Sequence, residues 1–247
     1  MLSPISNQLQ DNYERFLPFI TEARKRLMFL FSIFLIVSAL GFIYYEKIIT
    51  LALSLFNLKG INIVFTSPFQ YINLSISSGF VLGSLVIFPL LVFQVLSFLK
   101  PGLTSKEHRT IVTLVPAGIF LFLFGFSYGV FIMRYALILF YEKSVELEIG
   151  NLLDISRFLS QTLITASLMG LAFQFPIVLT ALMRLKVIRY QNLTSQRALA
   201  YSASVIFAAL LPPTDLLSLA MLTLPLVILF ETTLLLNKFV LKSHLLA

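Results

Sequence analysis

FPLLVFQVLSFLKPGLTSKEHR, residues Phe88–Arg109, leaves an apolar run, breaks at Pro101-Gly102 and ends among charges. Upstream of it no charged residue occurs back to Lys59. An uncharged run that stops at a Pro-Gly pair beside lysine and arginine reads as a helix crossing a bilayer and turning at its surface. The whole chain agrees: of 247 residues, 58% are hydrophobic and 12% charged, against roughly 25% charged in soluble domains. The mean hydropathy is +0.94. An integral membrane protein is the class that fits. There is no cysteine, so disulfides and thiolate metal sites are excluded. No nucleotide-binding loop, HExxH pair or other metal constellation occurs, and no cofactor is implied. The net charge of +7 belongs to loops on one side of a membrane rather than to a nucleic-acid surface. No removable signal peptide is expected, because no basic head leads straight into a short apolar core.

Working outward, six apolar segments emerge: 27–45, 74–99, 110–133, 158–183, 198–211 and 216–236. Together they predict an all-α membrane protein, a single six-span domain over 1–247. The fifth and sixth are short and call for a locally thinned bilayer. Ahead of the first, Tyr13 onward has amphipathic helical spacing that suits the membrane interface. Ile48–Leu58 is apolar but too short to span and predicts a helix at the surface. Ile63–Thr66 reads as extended, and Ser67-Pro68 as a helix start. Proline at 89, 116, 176 and 225 predicts a kinked bundle with a concave face. Gly79/Gly83 and Gly125/Gly129 are small-xxx-small pairs suited to close helix approach.

Charge sets the orientation. Lys47, Lys59, Arg134, Lys143 and Arg157 fall on one set of loops, and the other thirteen lysines and arginines on the opposite set. The positive-inside rule then places both termini in the cytoplasm. Glu142, Glu146, Glu148 and Asp154 form an acid cluster on the outer loop between 134 and 157, which reads as a solvated face. No internal repeat is visible, which argues against an inverted-repeat transporter.

Few polar groups remain to carry chemistry. Glu22 and Glu107 each lie near the inner interface beside cations that ease ionisation of a carboxylate. An ionised carboxylate accepts a forked pair of bonds from arginine. On spacing alone, two solvated interface acids are the plainer reading and an arginine-binding pair the sharper one. Gln94, Gln174 and Glu231 sit in or near apolar runs, where a polar group faces protein or water. Helix-to-helix hydrogen bonds and functional roles both fit them. His108 and His244, the two histidines, both sit in inner polar segments and read as surface histidines.

The motifs, in order, resemble the TatC family, the multi-span core of the twin-arginine protein translocase. Glu22-Ala23-Arg24-Lys25-Arg26-Leu27 resembles the family's ELRxRL head, and Ser67-Pro68 its outer SP motif. Phe88-Pro89 through Gln94, and Pro101-Gly102-Leu103 through Glu107, resemble its P-x-x-x-Y-Q, PGL and ExR segments. Phe173-Gln174-Phe175-Pro176 is similar to F-E-x-P, and Leu211–Asp215 to the TPPD turn. Pro225 with Phe230-Glu231 resembles the closing P-x-x-x-x-(Y/F)-E. The resemblance implies a glove-shaped bundle in the plasma (inner) membrane, or in a thylakoid or mitochondrial inner membrane if organelle-encoded. It implies a non-enzymatic receptor for signal peptides bearing paired arginines on folded cargo. TatA/TatB-type single-span partners, a homo-oligomer and the proton-motive force come with it. The signal-peptide site maps onto Glu22, Glu107, Arg24 and Gln94, and the outer turn and partner docking onto Pro213, Asp215 and Pro225. The chain departs from the pattern at Phe19, where the family has His, at Gln174 for Glu, at Gln70 and Ser77 for an acid and a lysine, and in lacking tryptophan. A small-solute transporter and a membrane scaffold without cargo are the rival readings.

Overall fold

The computed structural model describes residues 4–55, 62–64, 67, 69–99, 105–147, 152–184 and 188–239. Pro68, Pro101-Gly102-Leu103, Glu148 and His244 lie outside them, as do the side chains of Phe19, Pro89 and Glu107. The chain runs α1 (Pro4–Ile43), α2 (Tyr45–Leu55), β1 (Asn62–Val64), α3 (Gln70–Leu99), α4 (Ser105–Glu146) and β2 (Leu152–Asp154). It continues through α5 (Ile155–Ala172), α6 (Phe175–Arg184), α7 (Tyr190–Ser195), α8 (Arg197–Ala209) and α9 (Leu216–Phe239).

Among the described residues, five stretches are long and apolar enough to cross a membrane: Thr21–Ile43, Gln70–Phe88, Val115–Glu146, Ile155–Met183 and Leu216–Phe239. The helix Arg197–Ala209 is apolar but shorter. At 1.5 Å per residue it is about 20 Å long, below the roughly 30 Å of a hydrocarbon core.

α5 is the hub. α3 and α4 pack against it, α1 lies along α3, and α9 packs on α8 and α6. The buried face of α5 carries Ser156, Ser160, Thr162, Thr165 and Ser167. Small residues let backbones approach where lipid tails provide no hydrophobic drive toward association. The predicted glycine pairs lie at such approaches. A Cβ on Gly79 would stand 2.5 Å from the Ser38 carbonyl of α1, and one on Gly129 2.6 Å from Ala166 Cα of α5.

At one end of the bundle Leu74, Met133, Leu137, Ile155, Phe158 and Leu159 form a core that Ala52 of α2 joins. β1 and β2 pair in parallel above it, Asn62 opposite Leu152. A middle core unites Met169 and Phe173 with Ala208, Leu211, Leu222 and Leu226.

Three expectations shift. α4 does not stop at Met133: Leu137, one turn on, enters the same core as Met133, and a single exposed arginine does not end a helix. Residues 134–146 are therefore helix rather than loop. Asp154 is not merely solvated, because it caps α5 and accepts a bond from Gln70 Nε2 at 2.8 Å. Glu107 lies in the first turn of α4, not in a loop. Thr104-Ser105-Lys106-Glu107 carries the S/T-x-x-E pattern of a helix start, which accounts for the early onset.

Candidate functional site

Helices α1 and α3 run antiparallel from the glycine crossing to a polar clasp at the other end of the bundle. Glu22 and Arg26 are four residues apart on α1, with the acid first, the favourable order for a helical ion pair. Arg26 Nη2 and Nε donate to Glu22 Oε1 at 2.6 and 3.1 Å. Arg26 Nη1 reaches across to α3 and donates to Gln94 Oε1 at 2.8 Å and to the Gln94 backbone oxygen at 3.1 Å. The Glu22 side chain is 46% exposed and that of Arg26 23%. The clasp thus presents a half-exposed carboxylate whose position is held by a guanidinium tied to the neighbouring helix. Among the described residues no donor reaches Glu22 Oε2. Arg24 is exposed and takes no part in the clasp.

Gln174 lies where α5 ends and α6 begins, two residues before Pro176. Its Nε2 donates to Gly118 O at 3.1 Å and Gly170 O at 3.3 Å. The second bond is local repair: the Gln174 backbone N–H turns to Leu171 O, and the side chain serves the Gly170 carbonyl in its place. Gln174 Oε1 is buried without a partner among the described residues. Farther along, Glu231 on α9 accepts from Tyr201 Oη at 2.5 Å and forms an ion pair with Arg197 Nε at 3.3 Å, both on α8. An apolar groove of about 320 Å³ lies beside this cluster, between α8, α9 and the α5–α6 break, lined by Ala200, Ala203 and Phe175 among others.

A family model described as Sec-independent protein translocase protein (TatC) matches residues 18–225. The chain belongs to the TatC family. TatCy of Bacillus subtilis is 30% identical over 94% of this chain and 91% of its own. TatC of Halalkalibacterium halodurans is 30% identical over 86% of this chain and 84% of its own. A crystal structure of the twin arginine translocase receptor TatC superposes with a TM-score of 0.74 at 27% identity, covering 89% of this chain and 98% of that one. The present TatC chain is therefore a component of a Sec-independent protein translocase and not an enzyme. Its apolar helices and bacterial relatives make it a multi-pass protein of the inner membrane.

The turn before α9 in this TatC chain is built by local chemistry. Asp215 caps α9, its Oδ1 accepting from Ser218 N at 2.8 Å. Burial pushes the Asp215 carboxyl up, but hydrogen bonds from Ser218 and Leu217 outweigh it and hold it below the ordinary aspartate range. The Pro212–Pro213 peptide is cis, and Thr165 Oγ1 of α5 donates to Pro212 O at 2.9 Å. Pro225 lies inside α9 and has no N–H to offer Met221 O, four residues back. Tyr128 Oη of α4 donates to that carbonyl at 2.7 Å.

The structure therefore joins Glu22 to Gln94 through Arg26, a residue outside the predicted site, and leaves Arg24 apart. The Glu-to-Arg spacing of four was the available signal for Arg26. Tyr128 and the buried Asn237, which donates to Thr180 Oγ1 at 2.9 Å, carried no comparable signal, since each meets its partner through packing of distant helices.

Proposed function

We propose that this chain is the receptor of its translocase, binding signal peptides with paired arginines at the cytoplasmic face through Glu22 and Glu107. The half-exposed Glu22 carboxylate, with Oε2 lacking a donor among the described residues, carries the reading. An ionised carboxylate so held is suited to a guanidinium, whose forked N–H groups match its geometry. Glu107 is the second acid, in the first turn of α4, where a helix N-terminus favours negative charge. In this reading α8 is a short fifth span of six in a single domain over 1–247, and both termini are cytoplasmic, as the lysine and arginine distribution suggests. TatA/TatB-type partners dock along α8 and α9, where the groove offers small residues, and the docking surface includes Pro213, Asp215 and Pro225. The chain works as a homo-oligomer, and folded cargo crosses at the expense of the proton-motive force.

The test is crosslinking of a twin-arginine signal peptide to the protein in membranes. Wild type, Glu22→Ala and Glu107→Gln are compared, with an Arg-Arg→Lys-Lys peptide as control. Crosslinks that weaken sharply on loss of either acid or of the arginines support the receptor. Equal crosslinking in every arm refutes the role given to Glu22 and Glu107.

A further inference from the structure

The groove between α8, α9 and the α5–α6 break has a charged group at one end. Ala200, Ser204 and Phe207 of α8 line it, with Leu226 and Leu229 of α9. Ser204 Oγ donates to Ala200 O at 2.9 Å, so its proton is spent within the helix. Spacings of three, four and three place Arg197, Ala200, Ser204 and Phe207 on one face of α8. The stripe therefore begins at a guanidinium and ends at an aromatic ring. From residue 197 to residue 207 the helix rises about 15 Å. That is the depth of one leaflet, half of a hydrocarbon core about 30 Å thick. We propose that this groove seats one acyl chain of an anionic phospholipid of the inner leaflet, with the lipid phosphate on Arg197.

Charge argues for this occupant. From Arg184 to Arg197 the sequence carries four cations and no acid. Basic pockets between helices on the cytoplasmic side are suited to anionic headgroups. The acid nearest the groove mouth, Glu231, is already compensated by its ion pair with Arg197 Nε and its bond from Tyr201 Oη. It holds Arg197 by one edge of the guanidinium. Nη1 and Nη2 meet no acceptor among the described residues, and the Arg197 side chain is 48% exposed. Those N–H groups form a fork that matches phosphate oxygens. Glu231 is thus a positioning residue for Arg197. A zwitterionic lipid carries the same phosphate, but its ammonium is repelled by the surrounding cations.

A partner helix docked along α8 and α9, as proposed above, lies over the filled groove. The inference rests on the cytoplasmic placement of residues 184–197 and not on the receptor reading of Glu22 and Glu107.

The chain has no tryptophan, so Phe207→Trp puts a single indole at the deep end of the groove. The full chain carrying it is placed in nanodiscs of mixed phosphatidylglycerol and phosphatidylcholine, with the acyl chains of one lipid or the other brominated. Bromine quenches tryptophan on contact, so the pair of measurements reads which lipid occupies the groove. Both leaflets hold the same mixture, so the result does not depend on the orientation of the chain. Phosphatidylglycerol should be favoured about fivefold, the gain of one basic residue at an anionic surface. Ile36→Trp, on the exposed face of α1, should show no preference. Arg197→Gln in the Phe207→Trp chain should abolish the preference. Should Phe207→Trp not fold, Leu229→Trp is the reporter. Should Arg197→Gln not fold, Ala200→Leu, which plugs the groove mouth, should reduce quenching by brominated phosphatidylglycerol. Equal quenching by the two lipids means ordinary boundary lipid and overturns the proposal. No quenching by either means that the groove is closed or filled by protein, a second copy included, and overturns it too. So does a preference that survives Arg197→Gln, or quenching that Ala200→Leu leaves unchanged.

Discussion

Pro225 should lose its dependence on Tyr128 when it is replaced by a residue that carries its own N–H. Tyr128 Oη lies 2.7 Å from Met221 O, the carbonyl that Pro225 leaves unserved in α9. Tyr128→Phe keeps the ring and removes only the donor. Met221 O is then a lone acceptor inside the bundle, which costs about 1–3 kcal/mol by soluble-protein experience. Double-mutant cycles between membrane helices average nearer ~0.6 kcal/mol, with a maximum of about 1.7. A cost of about 1 kcal/mol is thus expected in the native background. In the Pro225→Ala background the backbone N–H can serve Met221 O directly, so Tyr128→Phe should be close to neutral there. The assay is reversible unfolding in detergent micelles or bicelles for wild type, both single variants and the double variant. Coupling of about 0.5–1.5 kcal/mol supports the assignment. Equal costs of Tyr128→Phe in the two backgrounds would refute the claim that the hydroxyl replaces the missing N–H.

Gly79→Ala would place a Cβ 2.5 Å from the Ser38 carbonyl, so α1 and α3 must part by about 1 Å to reach ordinary contact. Destabilisation of about 1–3 kcal/mol in the same unfolding assay is expected, while Ile36→Ala on the exposed face of α1 should cost far less. Asp215→Ala should cost about 0.5–2 kcal/mol as a lost cap, while Asp215→Asn keeps a capping oxygen. Because the Asp215 carboxyl is held below its ordinary value, its charge-linked stability is present above about pH 4 and is lost as pH falls from there through the folded value. Asp215→Asn should remove that part of the acid slope in a melting series, and an unaltered slope would count against it. Gln174→Leu should leave the Gly170 carbonyl without a donor, remove the tie to Gly118 O of α4 and lower the melting temperature. Gln174→Glu, when ionised, has no donor for either carbonyl, so it should lower the melting temperature at pH 8 as well, and an unchanged melting temperature would show that the amide does not act as a donor.

Hydropathy and charge were enough for the class of this protein, because a bilayer penalises every exposed backbone amide and every unpaired charge along an entire segment. Such penalties are local and additive, so a run without charge reads as a span without knowledge of its neighbours. The proline and glycine positions were legible for a similar reason: a missing N–H or Cβ acts wherever the chain goes. The Gly79 and Gly129 approaches follow from the spacing of small residues, although their partners on α1 and α5 do not. Glu22 was legible as an acid among cations, and Arg26 was within reach as its i+4 neighbour.

Only the tertiary structure decided which groups meet. Gln94 is 68 residues from Arg26, and Met221 is 93 from Tyr128. Each pair is brought together by how helices cross, which depends on many side-chain shapes at once rather than on any local pattern. The same holds for Gln174, whose donors serve carbonyls that a helix break and a neighbouring glycine expose. The end of α4 was misread because a single arginine looks like a membrane boundary in sequence, whereas Leu137 beyond it finds apolar partners on other elements. The sequence by itself thus determined that the chain is a helical membrane protein and where its chemistry could lie. The packing determined which carboxylate oxygen is taken, by which arginine, and which carbonyls are served, because hydrogen bonds act over a few ångströms and sequence distance says little about them.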